Sequence, residues 1–505
     1  MFPASKQAIG MDLPAGMTLL LTLGVSGLIL YLSIRTSWIW RHLPPGPTPL
    51  PLLGNIMEIG RSDVANSLKK FSDKYGEVFT IYLGSRPVVV VTGYKQVKEV
   101  YLDKADDFLG RGDLPAWNNF YKSQGVIFTD VLEWWRELRG FSISSLRDLG
   151  FGKSGTEDGI QEEAHCLVEE LKKTKESFID PQLCLRKAVC NINLSTMFGN
   201  RHEYEDKDLV VVLSCIQNTF AAANSSWVQM YDVFPCLMNF IPGPHHKIFQ
   251  FLDKLGQYVD NRVNINQKNL DPAHPGSYVD AFLIKMEKEK ANPNSVFTRS
   301  HLLSSALQIF FAGVETTSTT LYYSLLILLK YPDICAKFQK EIDHVIGPNR
   351  CSTIKDKSSM PYTEALIHEI HRFIDLLPLG VPRKTVREVT LKGYKIPQGI
   401  NILPLLSSVL KDPTCFKYPA EFNPENFLNE KGEFQKNGAY MPFAAGKRNC
   451  LGEPMARMML FLFLTTIFQN FDLKSSVPFE ELDITPLVSG FGNLPRNYKC
   501  AFITR

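Results

Sequence analysis

The stretch of sequence that decides the fold lies near the C-terminus and reads Phe443-Ala444-Ala445-Gly446-Lys447-Arg448-Asn449-Cys450-Leu451-Gly452. Cys450 follows small turn-forming residues and two adjacent cations, and it precedes an apolar run that predicts a helix from about Leu451. A thiolate is stable near neutral pH only where positive charge, backbone N–H groups or a metal ion stabilise it. Lys447, Arg448 and the free N–H groups of the helix N-terminus offer such stabilisation. The stretch therefore predicts a cysteine that binds iron, and a buried cysteine before a core helix is the alternative.

Five positions of this stretch match Phe-x-x-Gly-x-Arg-x-Cys-x-Gly, the haem-binding signature of the cytochrome P450 monooxygenases, which the chain therefore resembles. The matching residues are Phe443, Gly446, Arg448, Cys450 and Gly452. The resemblance implies haem b with Cys450 as the axial iron ligand, Phe443 near the sulfur and Arg448 on a haem propionate. Thiolate ligation favours O–O cleavage in bound oxygen. The resemblance also implies the fold, a mainly α protein with smaller β-sheets (α+β).

Composition sets outer limits on the function. The chain has 505 residues, of which 45% are hydrophobic, enough for one large catalytic domain. Its net charge of +3 gives no indication of a nucleic-acid partner. The ten cysteines include no C-x-x-C pair, which disfavours a structural zinc site and is typical of reduced thiols in the cytosol.

The N-terminus is predicted to carry a membrane anchor. Residues 13–34 contain no charged residue and are long enough to cross a bilayer core of about 30 Å as a helix. Arg35 and Arg41 follow the span, so the positive-inside rule leaves the rest of the chain on the cytosolic side. A cleaved signal peptide is the alternative. We therefore predict a single-pass protein of the endoplasmic reticulum (microsomal) membrane with a cytosolic catalytic domain.

A proline-rich segment follows the anchor. Its prolines fix φ and remove N–H donors, which predicts a stiff spacer; a recognition motif for another domain is the alternative. The chain is thus divided into an anchor (1–35), a hinge (36–55) and a haem-thiolate catalytic domain (56–505).

Beyond the hinge, Val78–Leu83 and Val88–Thr92 are rich in β-branched residues and predict a hairpin. The remainder is predicted to be mostly helical, with strands returning near Lys392–Pro397 and at the C-terminus. Residues Phe108–Phe128 are predicted to be loop-rich, with apolar side chains that either cover the core or line a lipophilic pocket.

One long helix is predicted over residues 298–330, where Tyr331-Pro332 ends it. It contains Ala312-Gly313-Val314-Glu315-Thr316-Thr317. Glycine and threonine weaken a helix interior, so a local opening that holds water is expected, with close helix packing as the alternative. The resemblance assigns Ala312 to the haem face and makes Glu315 and Thr316 the acid and alcohol of the O2-binding motif. With ordered water they would relay the protons that O–O cleavage consumes.

Three further residues are assigned to haem binding. Trp135 and Arg139 lie one helical turn apart and match Trp-x-x-x-Arg; a surface pair is the alternative. The resemblance implies that both reach a haem propionate, to which arginine gives charge-assisted hydrogen bonds. Arg383 is predicted to do the same, at a position where close relatives often carry histidine.

The segment His368-Glu369-Ile370-His371-Arg372 invites a zinc interpretation, but its histidines are three apart and zinc peptidases need them four apart. Glu369 and Arg372 match Glu-x-x-Arg instead, an ion pair that the resemblance makes buried and structural. The usual third member is an arginine. This chain has Asn426 there, which can hydrogen-bond but carries no charge.

The electrons are predicted to come from another protein. Residues 150–155 match G-x-G-x-x-G, but no predicted strand precedes them, so a dinucleotide site is rejected. The resemblance implies an NADPH-dependent flavoprotein reductase, with cytochrome b5 as a second donor. Arg136, Lys447 and Arg457 are a candidate docking patch for an acidic partner.

The resemblance also supplies the reaction. Residues Phe310, Phe311, 376–382 and 488–491 would line the substrate side, and residues 227–244 would contact the bilayer. The implied activity is monooxygenation of a lipophilic xenobiotic, fatty acid or steroid by O2. A haem-thiolate isomerase or dehydratase and a non-catalytic haem-based carrier or sensor are the alternatives. The substrate itself is not encoded in any motif.

Overall fold

The computed structural model describes residues 18–20, 22–24, 26–27, 42–60, 63–152 and 154–505. The few described positions of the predicted anchor (1–35) are helical; the rest of the anchor, and residues 36–41 of the predicted hinge, lie outside the described residues.

The described part of the chain is mainly helical. Its helices are α1 Val64–Tyr75, α2 Tyr94–Lys98, α3 Pro115–Tyr121, α4 Gly125–Phe128, α5 Leu132–Asp148, α6 Ser154–Lys172, α7 Gln182–Phe198, α8 Lys207–Ala223, α9 Ser226–Val233, α10 Pro235–Met238, α11 His246–Lys268, α12 Tyr278–Lys288, α13 Arg299–Lys330, α14 Pro332–Val345, α15 Pro361–Ile374, α16 Leu406–Leu410 and α17 Glu453–Asn470. Shorter turns are the π-helical Glu99–Asp103 and the 3-10 turns Ile354–Ser359, Pro424–Phe427, Gly446–Arg448 and Phe479–Glu481.

The strands are short. They are β1 Val78–Leu83, β2 Arg86–Val91, β3 Gly110–Arg111, β4 Arg383–Lys384, β5 Val389–Leu391, β6 Tyr394–Ile396, β7 Asn401–Pro404, β8 Phe471–Ser475, β9 Val488–Ser489, β10 Asn493–Leu494 and β11 Cys500–Thr504. The main sheet has the order β1-β2-β7-β4-β3, in which only β2 and β7 are parallel. The pairs β5–β6, β8–β11 and β9–β10 form small antiparallel sheets. The predicted hairpin at 78–92 is confirmed as β1 and β2.

No single helix in the described ranges is both long and apolar enough to span a membrane, whereas α8 and α9, bent by 63° at their junction, together have the length and composition to do so.

Helix α13 organises the core. Thr298 caps it by accepting the N–H of His301 at 3.3 Å, and Pro332 follows its end, so the predicted helix at 298–330 is confirmed. Its N-terminal half packs in one apolar cluster with α8, α11 and α12, and its C-terminal half in another with α15 and α17. The polar residues 315–320 lie between the two clusters. This polar band in the middle of a buried helix contains Glu315 and Thr316, the two predicted catalytic residues.

The prediction of a loop-rich stretch at Phe108–Phe128 is wrong in part, since α3 and α4 lie there. Pro115 is suited to the first turn of α3 because its missing N–H would have no helical partner. The carboxylate of Asp232, on α9, accepts the N–H of Ala116 at 2.7 Å. This cap comes from a distant part of the chain, so no local pattern announces it.

Candidate active site

The cysteine segment is shaped by a close approach to the turn before β3. The N–H of Cys450 donates to the carbonyl of Phe443 at 3.0 Å. Gly446 has φ +74, and a Cβ there would lie 1.9 Å from the carbonyl oxygen of Tyr101. Only glycine fits this position. Cys450 keeps accessible surface although it lies deep in the protein, as expected of a side chain that lines an internal cavity.

The electrostatics of Cys450 differ from the sequence-based expectation. Burial raises the pKa of its thiol, while the N–H groups of Gly452 and Glu453 and the guanidinium of Arg139 act in the opposite direction. Lys447 pairs with Asp106, and the guanidinium of Arg448 lies over the ring of Trp135. Neither cation is therefore directed at the sulfur, contrary to the prediction. Because burial dominates, the thiolate would need a bound metal ion to be stable.

One face of α13 is accessible in an otherwise buried helix. Ile309, Ala312, Gly313 and Thr316 are partly exposed, whereas residues 317–329 are buried. This spacing of three and four residues defines a single helix face. Ile309 and Leu451, which adjoins Cys450, both pack against the same apolar cluster. We infer that this face of α13 and the cysteine segment border one cavity.

Glu315 and Thr316 point in different directions. Thr316 lies on the accessible face, and its Oγ1 donates to the carbonyl of Ala312 at 2.7 Å. Glu315 is only 1% exposed and accepts two hydrogen bonds from Arg186 of α7, at 2.8 and 2.9 Å. Thr319 donates to the same carboxylate at 3.3 Å. The acid that the sequence predicts is therefore held in a buried ion pair with α7 and does not lie on the accessible face that carries Thr316.

The expected opening of the helix is not seen, since α13 runs unbroken from Arg299 to Lys330. A Cβ at Gly313 would lie 2.1 Å from Oδ1 of Asn193. Asn193 belongs to α7, so the glycine permits close packing of two helices. The alternative interpretation of the small residues is therefore correct at this position.

Three buried arginines converge at the β3–β4 edge of the main sheet. Arg111 and Arg383 are cross-strand partners, and Arg383 donates to the carbonyl of Arg448 at 3.3 Å. Burial, and then the charge of Arg383, lowers the pKa of Arg448 to about 9. The pKa of Arg111 is also lowered well below its usual range, by burial and by the other two arginines.

Some N–H groups of this cluster lack partners. Among the described residues, Nε and Nη1 of Arg448 and Nε of Arg383 have no hydrogen-bond partner. A buried cation without a partner is unfavourable by several kcal/mol. An anionic group with two carboxylates, such as the propionates of haem b, would satisfy these donors, so the residues present fit that cofactor. No motif contains Arg111, and only its pairing with Arg383 in the sheet reveals it.

Trp135 and Arg139 meet the same region from α5. Arg448 lies over the Trp135 ring at 4.3 Å, and Arg139 lies 5.9 Å from the ring centre. Nη2 of Arg139 donates to the carbonyl and to Oδ1 of Asn449, at 2.9 and 2.6 Å. Arg139 thus braces the cysteine segment itself, in addition to any contact with a cofactor.

Behind the cysteine segment lies a buried ion pair on α15. Arg372 donates to both oxygens of Glu369 at 2.7 Å, and both side chains are fully buried. Nδ2 of Asn426 donates to both Glu369 oxygens at 3.2 Å. The amide therefore fills the third arm by hydrogen bonding without adding charge.

The two histidines of α15 serve the helix rather than a metal. Nδ1 of His368 and of His371 bonds to the carbonyl four residues earlier, at 2.7 and 2.8 Å. Burial, and then the charge of Arg457, lowers their pKa to about 2 and about 3. In the part of the chain that the structure describes, no group of three or more His, Cys, Asp or Glu side chains could hold a metal ion.

An aromatic wall lies in the apolar cluster against which Ile309 and Leu451 pack. Trp117 stacks on Phe128 with ring centres 5.4 Å apart, and it lies 5.7 Å from both Phe311 and Phe491. Trp117 thus lies between Phe311 and Phe491, two of the residues predicted to line the substrate side. Phe310 instead packs on Phe198, away from this wall.

The glycine motif at 150–155 directly follows a helix, α5, and not a strand. A Cβ at Gly152 would lie 2.6 Å from Cβ of Pro454. The glycine therefore lets this turn pack against the start of α17.

Comparison with known proteins gives one consistent result. A family model described as Cytochrome P450 matches residues 44–502. Cytochrome P450 2G1 of Oryctolagus cuniculus is 44% identical over 495 residues, covering 98% of this chain and all of that protein. Cytochrome P450 2C11 of Rattus norvegicus is 46% identical over 485 residues, covering 96% and 97%. Cytochrome P450 2A5 of Mus musculus is 45% identical over 463 residues, covering 92% and 94%.

Proposed function

The chain belongs to the cytochrome P450 family, and from this premise we propose that it inserts one atom of O2 into a lipophilic xenobiotic, fatty acid or steroid. As a cytochrome P450 it is a monooxygenase of the endoplasmic reticulum membrane, and its cofactor is haem b with an axial cysteine thiolate. One observation carries the proposal. Buried arginines whose N–H groups lack partners among the described residues converge beside Cys450.

Each residue has a role in this proposal. Cys450 would hold the haem iron through its thiolate, and Arg111, Arg383 and Arg448 would bind the propionates. Trp135 supports Arg448 by a cation–π contact, with the guanidinium carbon 4.3 Å from the ring centre. Thiolate-bound haem supplies O2 binding and O–O cleavage when present.

The protein's contribution to proton delivery lies on α13. Ala312, on the accessible face, leaves room for dioxygen, and Thr316 offers its hydroxyl one turn further along. Glu315 is the proposed acid. Because it is ion-paired with Arg186, it can donate a proton only after that pair opens and water reaches its carboxyl group.

The proposed organisation is a membrane anchor (1–35), a hinge (36–55) and a catalytic domain (56–505), with a single span and the catalytic domain in the cytosol. Exposed apolar side chains near the hinge and in the α9–α10 region support a second membrane contact; they are Leu52, Met57, Trp227, Leu237 and Phe240. Phe240 is 87% exposed. A Cβ at Gly84 would lie 3.2 Å from Phe234 and 3.5 Å from the carbonyl of Leu52, so the hinge and the α9–α10 region meet at this turn.

Vesicle binding tests the membrane contact. The protein without residues 1–35 should still bind vesicles of microsomal lipid, and Phe240→Asp should weaken that binding severalfold. Phe479→Asp, at another exposed apolar position, is the control and should have little effect. A truncated protein with no vesicle affinity would contradict the second contact.

Electrons are proposed to come from NADPH through a flavoprotein reductase, with cytochrome b5 as a second donor. Arg136 is exposed and available for docking, whereas Arg457 is bound to Glu453 and His368. Arg136→Glu should raise the KM for the reductase and weaken its dependence on salt. Lys268→Glu, at the end of α11, is the matched charge reversal and should leave that KM unchanged.

Two measurements test the activity as a whole. The reduced protein should bind carbon monoxide with the spectrum of a thiolate-ligated haem, and Cys450→Ser should abolish that spectrum. With reductase, NADPH and O2, a lipophilic substrate identified by its shift of the haem spin state should gain one oxygen atom from O2. Product formation that needs no O2 would favour an isomerase or dehydratase. Haem binding without any product would favour a carrier or sensor.

A further inference from the structure

Positive charge exceeds negative charge around the buried arginines. Four guanidinium groups influence one another there, those of Arg111, Arg139, Arg383 and Arg448. Asp130 is the acid that opposes them. Its oxygens are already engaged, since Oδ1 accepts the main-chain N–H of Arg111 at 2.7 Å and Oδ2 accepts Lys384 at 2.9 Å.

The surplus can be counted. The four arginines and Lys384 carry five positive charges, and Asp130 and Asp113, both partners of Lys384, carry two negative charges. Tyr101 lies 5.1 Å beneath Arg383, but burial raises the pKa of its phenol, so it stays neutral. Three positive charges remain. The two propionates of haem b would neutralise two of them and leave one.

Arg383 is the arginine best placed to supply this surplus. It is 4% exposed, its guanidinium donates to the carbonyl of Arg448 at 3.3 Å and lies against Tyr101, and its Nε has no partner among the described residues. Arg111 and Arg139 make shorter bonds, to Ile127 and to Asn449, at 2.8 and 2.9 Å. These two therefore hold main-chain segments in position, whereas Arg383 makes only the longer bond to the carbonyl of Arg448.

Reduction of a haem-thiolate centre by one electron adds one negative charge to the site. A buried cation stabilises that charge far more than an exposed one does, because solvent and salt screen it less. We propose that Arg383 sets the reduction potential of the bound haem: its surplus positive charge raises the potential and so favours acceptance of the first electron. This inference rests on the proposed function, since it requires haem at Cys450.

The test compares neutral and charged replacements in the haem-loaded protein. At the midpoint potential of the unsubstituted protein, Arg383→Met should lower the ratio of ferrous to ferric haem by about tenfold, the effect of one charge at roughly 10 Å and an effective dielectric constant of about 20. Arg383→Lys keeps the charge and should stay within about threefold of the unsubstituted ratio.

Arg383→His separates charge from hydrogen bonding. The buried His368 and His371 have pKa values of about 2 and about 3 because of burial, so a histidine at this buried position should also be neutral at pH 7. It can still donate a hydrogen bond, yet it should behave like Arg383→Met. Arg387→Met is the matched control, because it removes the same formal charge from a side chain that is 70% exposed and paired with Asp107. Its ratio should not change.

The outcomes distinguish failure of this inference about Arg383 from failure of the proposed function. Full haem content and an unchanged ratio in Arg383→Met or Arg383→His would overturn the inference. Arg111 and Arg448, the other two proposed propionate ligands, remain in the neutral variants, which should therefore keep their haem. Loss of haem in both neutral variants, with retention in Arg383→Lys, would also overturn the inference, because the charge of Arg383 would then be required for haem binding itself. If the unsubstituted protein lacked the carbon monoxide spectrum of a thiolate-ligated haem, the proposed function would fail instead.

Discussion

The ion pair between Arg186 and Glu315 gives the sharpest test of how the site is held together. The two side chains are 4% and 1% exposed, and two hydrogen bonds of 2.8 and 2.9 Å join them across α7 and α13. Arg186→Met would leave the carboxylate buried without its cation. Removing one partner of a buried pair typically destabilises a protein by about 3–5 kcal/mol.

Replacing both partners should be much less harmful. In Arg186→Met/Glu315→Gln neither buried charge remains, and neutral replacements of buried pairs are often tolerated. The double variant should therefore be more stable than Arg186→Met by about 2 kcal/mol or more, which is the signature of direct coupling. Urea denaturation of the haem-loaded protein, followed by circular dichroism and by the haem absorption, measures the four members of this cycle.

An exposed pair supplies the control. Lys172 and Glu169 form a salt bridge of 2.9 Å on the surface of α6, where such pairs contribute about 0–1 kcal/mol. Lys172→Met should therefore change stability by less than about 1 kcal/mol. If Arg186→Met were equally mild, or if the cycle showed no coupling, the buried ion pair would not be the restraint on Glu315 described above.

Three further predictions concern stability. Burial raises the pKa of Asp232 to about 6, above the unfolded value of about 3.9, so the folded protein binds more protons between these values and its stability falls as the pH rises through them. Asp232→Asn removes this effect, so urea denaturation should show that the free energy of unfolding rises by up to about 3 kcal/mol at pH 7.5 and by less at pH 5. An equal rise at both pH values would refute the assignment. Gly313→Ala should destabilise the protein by about 1–3 kcal/mol in the same assay, because its Cβ would lie 2.1 Å from Asn193. Gly140→Ala is the control: its Cβ would have no atom within 4 Å on an exposed face of α5, so it should stabilise the protein by about 0.5–1 kcal/mol. Asn426→Ala should destabilise it by about 1–3 kcal/mol because Glu369 loses the amide donor, and retention of full stability and haem content would show that this amide is dispensable.

Features encoded in short stretches could be predicted from the sequence. The helix over 298–330 was recognisable because an apolar run ends at a proline, and the structure starts it one residue later. The hairpin at β1 and β2 was recognisable from its β-branched residues.

Features that depend on distant partners could not be predicted. Glu315 was assigned from its motif, but its direction is set by Arg186 on another helix. Arg111 belongs to no motif and enters the cluster only because β3 pairs with β4. Helix α3 was missed because its cap, Asp232, lies more than a hundred residues away. In each case the deciding contact joins residues that no window of sequence contains.

The two departures from the family's motifs have opposite electrostatic consequences. Asn426 stands where an arginine is usual, so Glu369, Arg372 and Asn426 form a buried group with no net charge. The resemblance places Arg383 where close relatives often carry histidine, so the proposed propionate side would carry one more cation. Buried charge is stable only where an opposite charge meets it. Compared with the usual arrangement, one positive charge is absent behind the cysteine segment, where the amide of Asn426 bonds to Glu369 instead. One positive charge is added on the proposed propionate side, where it would stabilise the negative charge that reduction adds.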